Sequence, residues 1–198
     1  MSLRNLSPQA MFRSLAAEHT PTCKFAADSP VACSSWQAET LPQVLATLGD
    51  YPERADLNPH LVAEWTHDGL IKQRWLIDVQ KHLSASLLIA KPADMQDGEE
   101  RPAILCCHGH GAYGKEPVMG NDSSPDLRAN IELHGYNYGH VMAKHGFVTY
   151  AIDWIGFGER NDENRPNSND IAHGRDWCNV YYLHATMLGM TSLSINVT

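Results

Sequence analysis

Two histidines alternate with glycines in ILCCHGHGAYGKE, which spans residues 104–116. Imidazole nitrogens bind metals and transfer protons, so His108 and His110 are candidates for chemistry. Glycine lacks a Cβ, so Gly109 and Gly111 let a loop turn sharply and direct backbone N–H groups at a bound oxyanion. The stretch therefore suggests either a metal site or an oxyanion-binding loop.

The metal hypothesis takes His108 and His110 as ligands, because the imidazoles of an extended His-x-His pair can converge. Asp153 or one further histidine would complete the site, and the candidate histidines are His134, His140 and His145. No acidic ligand adjoins the pair, and flanking glycines loosen a site that should be rigid. The sequence favours the oxyanion loop, and we expect no metal and no other cofactor.

The elements around this stretch predict a parallel crossover. AILCC, residues 103–107, is uniformly apolar, as expected of a strand covered on both faces, and FVTYAID, residues 147–153, predicts a second buried strand. Residues 137–146 predict a helix between them that closes at Gly146. Ligands of such sheets bind beyond the carboxyl ends of the strands, where HGHG and DWIGFGER, residues 153–160, follow.

Antiparallel strands precede this crossover. An Asp-Gly turn at residues 68–69 separates two alternating apolar and polar runs, 61–66 and 70–79, which predicts a hairpin. Residues 84–92 predict a third strand. The fold class is therefore α/β, with antiparallel N-terminal strands leading into a parallel sheet with crossover helices.

The first 56 residues are predicted to be an N-terminal arm and helix, and residues 57–198 the main domain. Residues 1–33 show no periodicity, so we expect an arm without regular structure. Residues 34–48 have helical spacing and are followed by Gly49 as a cap, although Pro42 predicts a kink or a late start.

Long connections surround the predicted crossover. Roughly thirty residues separate His108 from the helix near Asn137, far more than such a connection needs, so we expect a binding loop there. Lys115 and Glu116 within it are expected to be solvated loop charges. A polar segment at residues 155–176 precedes a final helix predicted at residues 177–189.

Composition excludes several classes of function. The net charge of -8 and the scattered Lys and Arg residues argue against nucleic-acid binding. No apolar run approaches the roughly 18 residues of a membrane span, and no secretory signal is apparent, so we expect a soluble, cytoplasmic protein. Five cysteines without a C-x-x-C pair indicate reduced thiols, and Cys106 and Cys107 fit as small buried strand residues with no nucleophilic role.

The sequence resembles the α/β-hydrolase superfamily, in the branch of acetyl xylan esterase-like and dienelactone hydrolase-like proteins. The resemblance rests on three segments in the same order and spacing, and covers roughly residues 34–191. These segments are PAILCCHGHGAYGKE (102–116), HGFVTYAIDWIGFGER (145–160) and NVYYLHATMLGMT (179–191). HGHG is then a variant of the HGGG-type oxyanion loop of these hydrolases.

The resemblance implies roles for the loop residues. Gly109, His110 and Gly111 would contribute an oxyanion-hole amide, and His108 would shape the loop. The loop after the next strand would comprise Asp153, Gly156, Gly158, Glu159 and Arg160. For Glu159 and Arg160 an ion pair that fixes the loop is favoured over contact with substrate.

The 198 residues contain no nucleophile elbow of the form G-x-S-x-G. Ser192 and Ser194 lack flanking glycines, and no catalytic acid and base follow them. The chain is therefore expected to be the N-terminal half of an esterase-type domain, truncated before the triad and inactive alone. The sheet edge left uncovered would favour a homo-oligomer or a complementing chain.

Three functional hypotheses remain. The first is a carboxylic ester hydrolase using serine acyl transfer on a small ester, such as an acetylated sugar. The second is a binding or interaction module derived from a hydrolase, without chemistry. The third is a metal-dependent hydrolase that uses His108 and His110.

Overall fold

The computed structural model describes residues 6–162 and 177–198. The chain divides into two compact units, Met1–Thr47 and Leu48–Thr198. In the described residues no helix combines the length and apolarity needed to cross a membrane.

The first unit contains two helices, α1 (Pro8–Glu18) and α2 (Pro30–Ala46). Each begins at a Ser-Pro pair, and the hydroxyls of Ser7 and Ser29 accept a first-turn N–H at 3.2 and 3.3 Å. The expectation of an arm without regular structure is therefore wrong over 8–18. Apolar periodicity is weak in α1, but the Ser-Pro caps are a local helix-start signal.

The predicted boundaries of the second helix need correction. Ser34 lies one turn inside α2, where its hydroxyl donates to the Pro30 carbonyl at 3.1 Å, so it is not a cap. The helix continues through Pro42 and ends at Ala46, with Thr47 as the capping residue. Gly49 does not cap the helix. It belongs to the second unit, where it pairs with Met190 in an isolated β-bridge.

The second unit is built around a mixed five-stranded sheet in the order β1-β2-β3-β5-β4. The first four strands in this order pair antiparallel, and β4 pairs parallel with β5. This is the predicted progression from antiparallel strands to a parallel pair. The strands are β1 (His60–His67), β2 (Leu70–Gln80), β3 (Leu83–Pro92), β4 (Ala103–Leu105) and β5 (Val148–Ile152).

The hairpin between β1 and β2 is confirmed. Asp68 and Gly69 both have positive φ, at 50° and 76°, which matches the two-residue turn whose twist suits paired strands. The Asp68 carboxylate also accepts a hydrogen bond from Lys144 Nζ at 2.6 Å, which fixes the turn against a later helix.

The strand predicted at 103–107 is shorter and more exposed than expected. Only Ala103–Leu105 is extended, and Leu105 is 62% exposed. Cys106 is buried and continues the ladder by donating its N–H to the Tyr150 carbonyl at 2.7 Å, whereas Cys107 is exposed. Coverage on both faces was the wrong prediction, because Ala103 and Leu105, which point to the same face, are both exposed. β4 is also the last strand in the order, with one neighbour in the described sheet.

Helices fill the long connection between β4 and β5: α3 (Lys115–Val118), α4 (Pro125–His134) and α5 (Tyr138–Lys144). The helix predicted at 137–146 is confirmed as α5. α3 and α5 pack on the sheet, where Val118, Met119 and Ala143 contact Leu88 and Ala151, and α4 packs on α3.

The chain after β5 forms a 3-10 turn (Gly158–Arg160), and the final helices are α6 (Trp177–Met187) and α7 (Ser192–Asn196). The helix predicted at 177–189 is confirmed as α6, and α7 is a further short turn. Of the polar segment predicted at 155–176, residues 163–176 lie outside the described residues.

Candidate functional site at the carboxyl ends of β4 and β5

Two tyrosines hold the HGHG loop in place where it follows β4. The Gly109 N–H donates to the Tyr136 hydroxyl at 2.5 Å, and the Tyr138 hydroxyl donates to the Cys107 carbonyl. A Cβ at position 109 would lie 2.7 Å from the Tyr136 hydroxyl, closer than a real Cβ contact allows. A side chain at position 109 would therefore displace the Tyr136 hydroxyl from this contact.

The glycine amides of the loop have acceptors within the protein. Besides the bond from Gly109 to Tyr136, the Gly111 N–H donates to the Gly109 carbonyl at 2.8 Å. An oxyanion bound at the Gly109 amide would have to take the place of the Tyr136 hydroxyl.

His108 links the two loops as a neutral imidazole. Its side chain is 1% exposed, its Nδ1 lies 2.7 Å from the Gly109 carbonyl, and its Nε2 accepts the Trp154 N–H at 3.0 Å. An Nε2 that accepts leaves Nδ1 as the protonated nitrogen, which then donates to Gly109. Burial lowers the pKa of His108, in agreement with the neutral form.

The same contacts weigh against the metal hypothesis. Both ring nitrogens of His108 are engaged, so this residue has no free lone pair for a metal. Within 6–162 and 177–198, no cluster of three or more His, Cys, Asp or Glu side chains is placed to hold an ion. His110 instead packs its ring against Phe157, with centroids 5.0 Å apart.

A buried ion pair joins the loop after β4 to the loop after β5. The side chains of Lys115 and Asp153 are 0% and 1% exposed, and Lys115 Nζ lies 2.6 Å from Asp153 Oδ2. The Lys115 backbone N–H also donates to Asp153 Oδ1 at 2.8 Å. The expectation that Lys115 is a solvated loop charge is therefore wrong, since Lys115 begins α3 and its side chain is fully buried.

Two glycines make room for the Asp153 carboxylate. Gly114 and Gly158 have positive φ, at 54° and 51°, and a Cβ on either would overlap the carboxylate. The Glu159 backbone N–H also donates to the carboxylate, at 3.0 Å from Asp153 Oδ2. Asp153 is thus enclosed by structural contacts and is not presented to a substrate.

The ion network continues outward through Glu159 and Arg74. Glu159 accepts hydrogen bonds from Lys115 Nζ at 2.6 Å and from Arg74 at 2.5 Å, and Arg74 also binds Glu116 at 2.6 Å. Partial burial opposes ionisation of Glu159, but the hydrogen bond and charge of Lys115 outweigh it and lower its pKa. Glu116 is only 20% exposed, so its expected solvated role is wrong as well.

Arg160 does not pair with Glu159. Its Nη1 donates to the Asp153 carbonyl at 3.0 Å, and its Nε and Nη2 are buried without an acceptor in the described parts of the chain. An ion network does fix this loop, but Lys115 and Arg74 supply its cations.

A cavity of about 360 Å³ lies beside the HGHG loop. Gly109, His110, Trp154 and Phe157 line it from the two strand ends, and α6 and α7 add Cys178, Ser192, Leu193 and Asn196. The predicted crossover already placed the two strand ends at the same edge of the sheet. No feature of the sequence indicated that the C-terminal helices reach the same cavity.

Three residues that hold these loops were not predicted from the sequence: Tyr136, Tyr138 and Arg74. The two tyrosines lie in the predicted binding loop, but nothing in their spacing identifies HGHG as their partner. Arg74 lies on a strand that was predicted, 42 residues from Glu116, and local sequence pattern does not predict such a pair.

Burial raises the pKa of the Cys106 thiol, which fits an unreactive cysteine there.

Strand ends that carry HGHG and D-x-x-G-x-G-E-R loops at one edge of a mixed sheet define part of an α/β-hydrolase fold. The chain belongs to the abhydrolase family, whose model matches residues 2–194. A crystal structure of a candidate acetyl xylan esterase from Bacteroides fragilis aligns with the chain at 21% identity and a TM-score of 0.71, which shows that the two share a fold.

The match to that structure covers 96% of this chain and 47% of the other, so this chain spans about half the length of its structural relative. A methylesterase aligns at 15% identity and a TM-score of 0.47, over 92% of this chain and 37% of the other. Among curated proteins, none is significantly similar.

Proposed function

We propose that this chain contributes the oxyanion side of a carboxylic ester hydrolase that acts on small esters, such as acetylated sugars, by serine acyl transfer. The observation that supports this most is the HGHG loop, held at the carboxyl end of β4 by Tyr136 and His108 beside a cavity of about 360 Å³. Family membership and the name of the structural relative agree with this class of reaction.

In the proposed mechanism a serine attacks the ester carbonyl and the loop stabilises the negative charge that forms on its oxygen. The oxygen replaces the Tyr136 hydroxyl as acceptor for the Gly109 N–H. One such donor contributes roughly 3 kcal/mol to the transition state. His108 acts on this step indirectly, because its bonds to Gly109 and Trp154 hold the loop against its neighbour.

The serine nucleophile is not among these 198 residues in any recognisable form. Ser194 is fully buried, and its hydroxyl takes part in the capping box of α7. Ser192 lines the cavity but has no flanking glycine to form a nucleophile elbow. We therefore expect the isolated chain to be inactive toward esters.

The purified chain should neither hydrolyse p-nitrophenyl acetate nor gain the mass of a serine-directed fluorophosphonate. A longer chain that contains these residues followed by a G-x-S-x-G, an Asp and a His should hydrolyse the ester and be blocked by the phosphonate. Phosphonate-sensitive turnover by the 198 residues alone would refute the placement of the nucleophile, and an inactive extended chain would refute the ester hydrolase.

An interaction module is the second candidate function, favoured by apolar surface in the second unit. Leu105 on the β4 edge is 62% exposed, and on α6 Leu183 and Met187 are 60% and 84% exposed. We propose that this edge pairs with a second copy or a complementing chain. A monodisperse monomer by light scattering that melts cooperatively would contradict pairing with a second copy, whereas a dimer would support it.

A further inference from the structure

A second cavity, of about 280 Å³, opens between the sheet and the chain that follows α3. Its polar and aromatic lining includes Trp65, Lys72, Arg74, Glu116, Asn121 and Asp122, and His67 and Ser123 also contribute. It shares no lining residue with the cavity beside the HGHG loop. A ligand here would therefore occupy a site separate from the proposed ester-cleaving one.

Lys72 is the most buried polar group in this lining, at 5% exposed. Its Nζ donates to the Met119 carbonyl at 2.8 Å, and no second acceptor for it occurs in the described parts of the chain. An ammonium has three N–H donors, and a buried donor without a partner costs free energy. Lys72 can therefore gain a hydrogen bond from an oxygen atom placed in the cavity.

The charges of the lining balance. Lys72 and Arg74 bring two positive charges, while Glu116 and Asp122 bring two negative ones. Arg74 and Glu116 already pair with each other at 2.6 Å, so Lys72 and Asp122 remain, one charge of each sign. A charged ligand would be attracted by one of these two groups and repelled by the other. A neutral ligand avoids that repulsion, and its hydroxyl groups can donate to the Asp122 carboxylate and accept from Lys72.

The remaining lining favours a ring. Trp65 is 39% exposed on β1 and contributes an aromatic wall, and Leu88 and Met119 add apolar surface. Flat aromatic surface packs well against the C–H face of a saturated ring, and a few polar groups around an apolar cavity are typical of small-molecule sites.

We propose that this cavity binds a neutral, hydroxyl-bearing ring, of which a single pyranose unit is the natural example. Lys72 donates to one hydroxyl oxygen, Trp65 packs on the face of the ring, and Asp122 and Asn121 accept from other hydroxyls. The proposal does not depend on ester hydrolysis, because the site shares no residue with the HGHG cavity and binding is measured without turnover.

Ligand-observed NMR on the full chain tests this with four matched probes. Methyl β-D-glucopyranoside and methyl β-D-xylopyranoside are neutral rings, and cyclohexanecarboxylate and cyclohexylammonium are charged ones. We expect the glycosides to bind with a Kd of about 1–10 mM and the charged rings about tenfold more weakly. Trp65→Ala and Lys72→Met should each weaken glycoside binding about tenfold, whereas Trp75→Ala, on β2 and outside the cavity lining, should not change it.

Thermal melting first establishes that each variant is folded, and Trp65→Ala is informative even where Lys72→Met is not folded. Three outcomes would overturn the proposal: no glycoside binding up to about 50 mM, a preference for either charged ring, or binding that Trp65→Ala leaves unchanged. Tenfold weaker binding in Trp65→Ala, with unchanged binding in Trp75→Ala, would support it.

Discussion

Replacing Lys115 by methionine removes the charge of the buried ion pair while keeping a side chain of similar length. Asp153 would then be left 1% exposed without its cation. Loss of one partner of a buried pair costs about 3–5 kcal/mol. Two backbone N–H groups, from Lys115 and Glu159, still donate to the carboxylate, so we expect about 3 kcal/mol, at the lower end of this range.

Urea unfolding followed by tryptophan fluorescence measures this loss, and a thermal melt should show a Tm lower by about 6–12 °C. Lys81→Met is the matched control, because Lys81 pairs with Glu53 at 2.9 Å but both side chains are more than half exposed. That pair should contribute less than about 1 kcal/mol.

Asp153→Asn added to Lys115→Met completes the test. The double variant leaves no unpaired buried charge, so part of the lost stability should return. A Lys115→Met chain within about 1 kcal/mol of the wild type would refute the reasoning. It would mean that water reaches Asp153 in the folded protein.

Two further predictions concern the HGHG loop. Gly109→Ala should destabilise the chain by about 1–3 kcal/mol in urea unfolding, because its Cβ would meet the Tyr136 hydroxyl at 2.7 Å. Tyr136→Phe removes that hydroxyl, so Gly109→Ala should destabilise the Tyr136→Phe chain measurably less. Because burial lowers the pKa of His108, the unfolded state binds more protons, so stability should fall as the pH drops below 6.5. His108→Gln should flatten that part of the stability curve, and an unchanged slope would contradict the assignment.

Local signals were sufficient for the elements that the sequence predicts well. The Asp-Gly turn needs positive φ at two positions, and those residue types tolerate it, so the hairpin was evident. The parallel crossover followed from an apolar run, a helix and a second apolar run. The first helix was missed because α1 buries no residue, so it lacks the apolar stripe that makes a helix visible in sequence.

The local sequence pattern did not predict that the charged side chain of Lys115 is buried. Lys115 follows Gly114 in a polar loop, and such a lysine is most often solvated. Its burial depends on Asp153, 38 residues away, and on the space left by Gly114 and Gly158. Only the folded chain brings these residues together.

Two links of different chemistry hold the loops after β4 and β5 together. His108 accepts the Trp154 N–H as a neutral imidazole, and Lys115 pairs with Asp153 as an ion. Protonation of His108 removes the lone pair that accepts from Trp154. Because burial lowers the pKa of His108, the first link is lost only when the pH falls below this lowered pKa. The second link is shielded from solvent, so salt screens it little. Acid strong enough to protonate the buried His108, and not added salt, should therefore be the condition that loosens the HGHG loop.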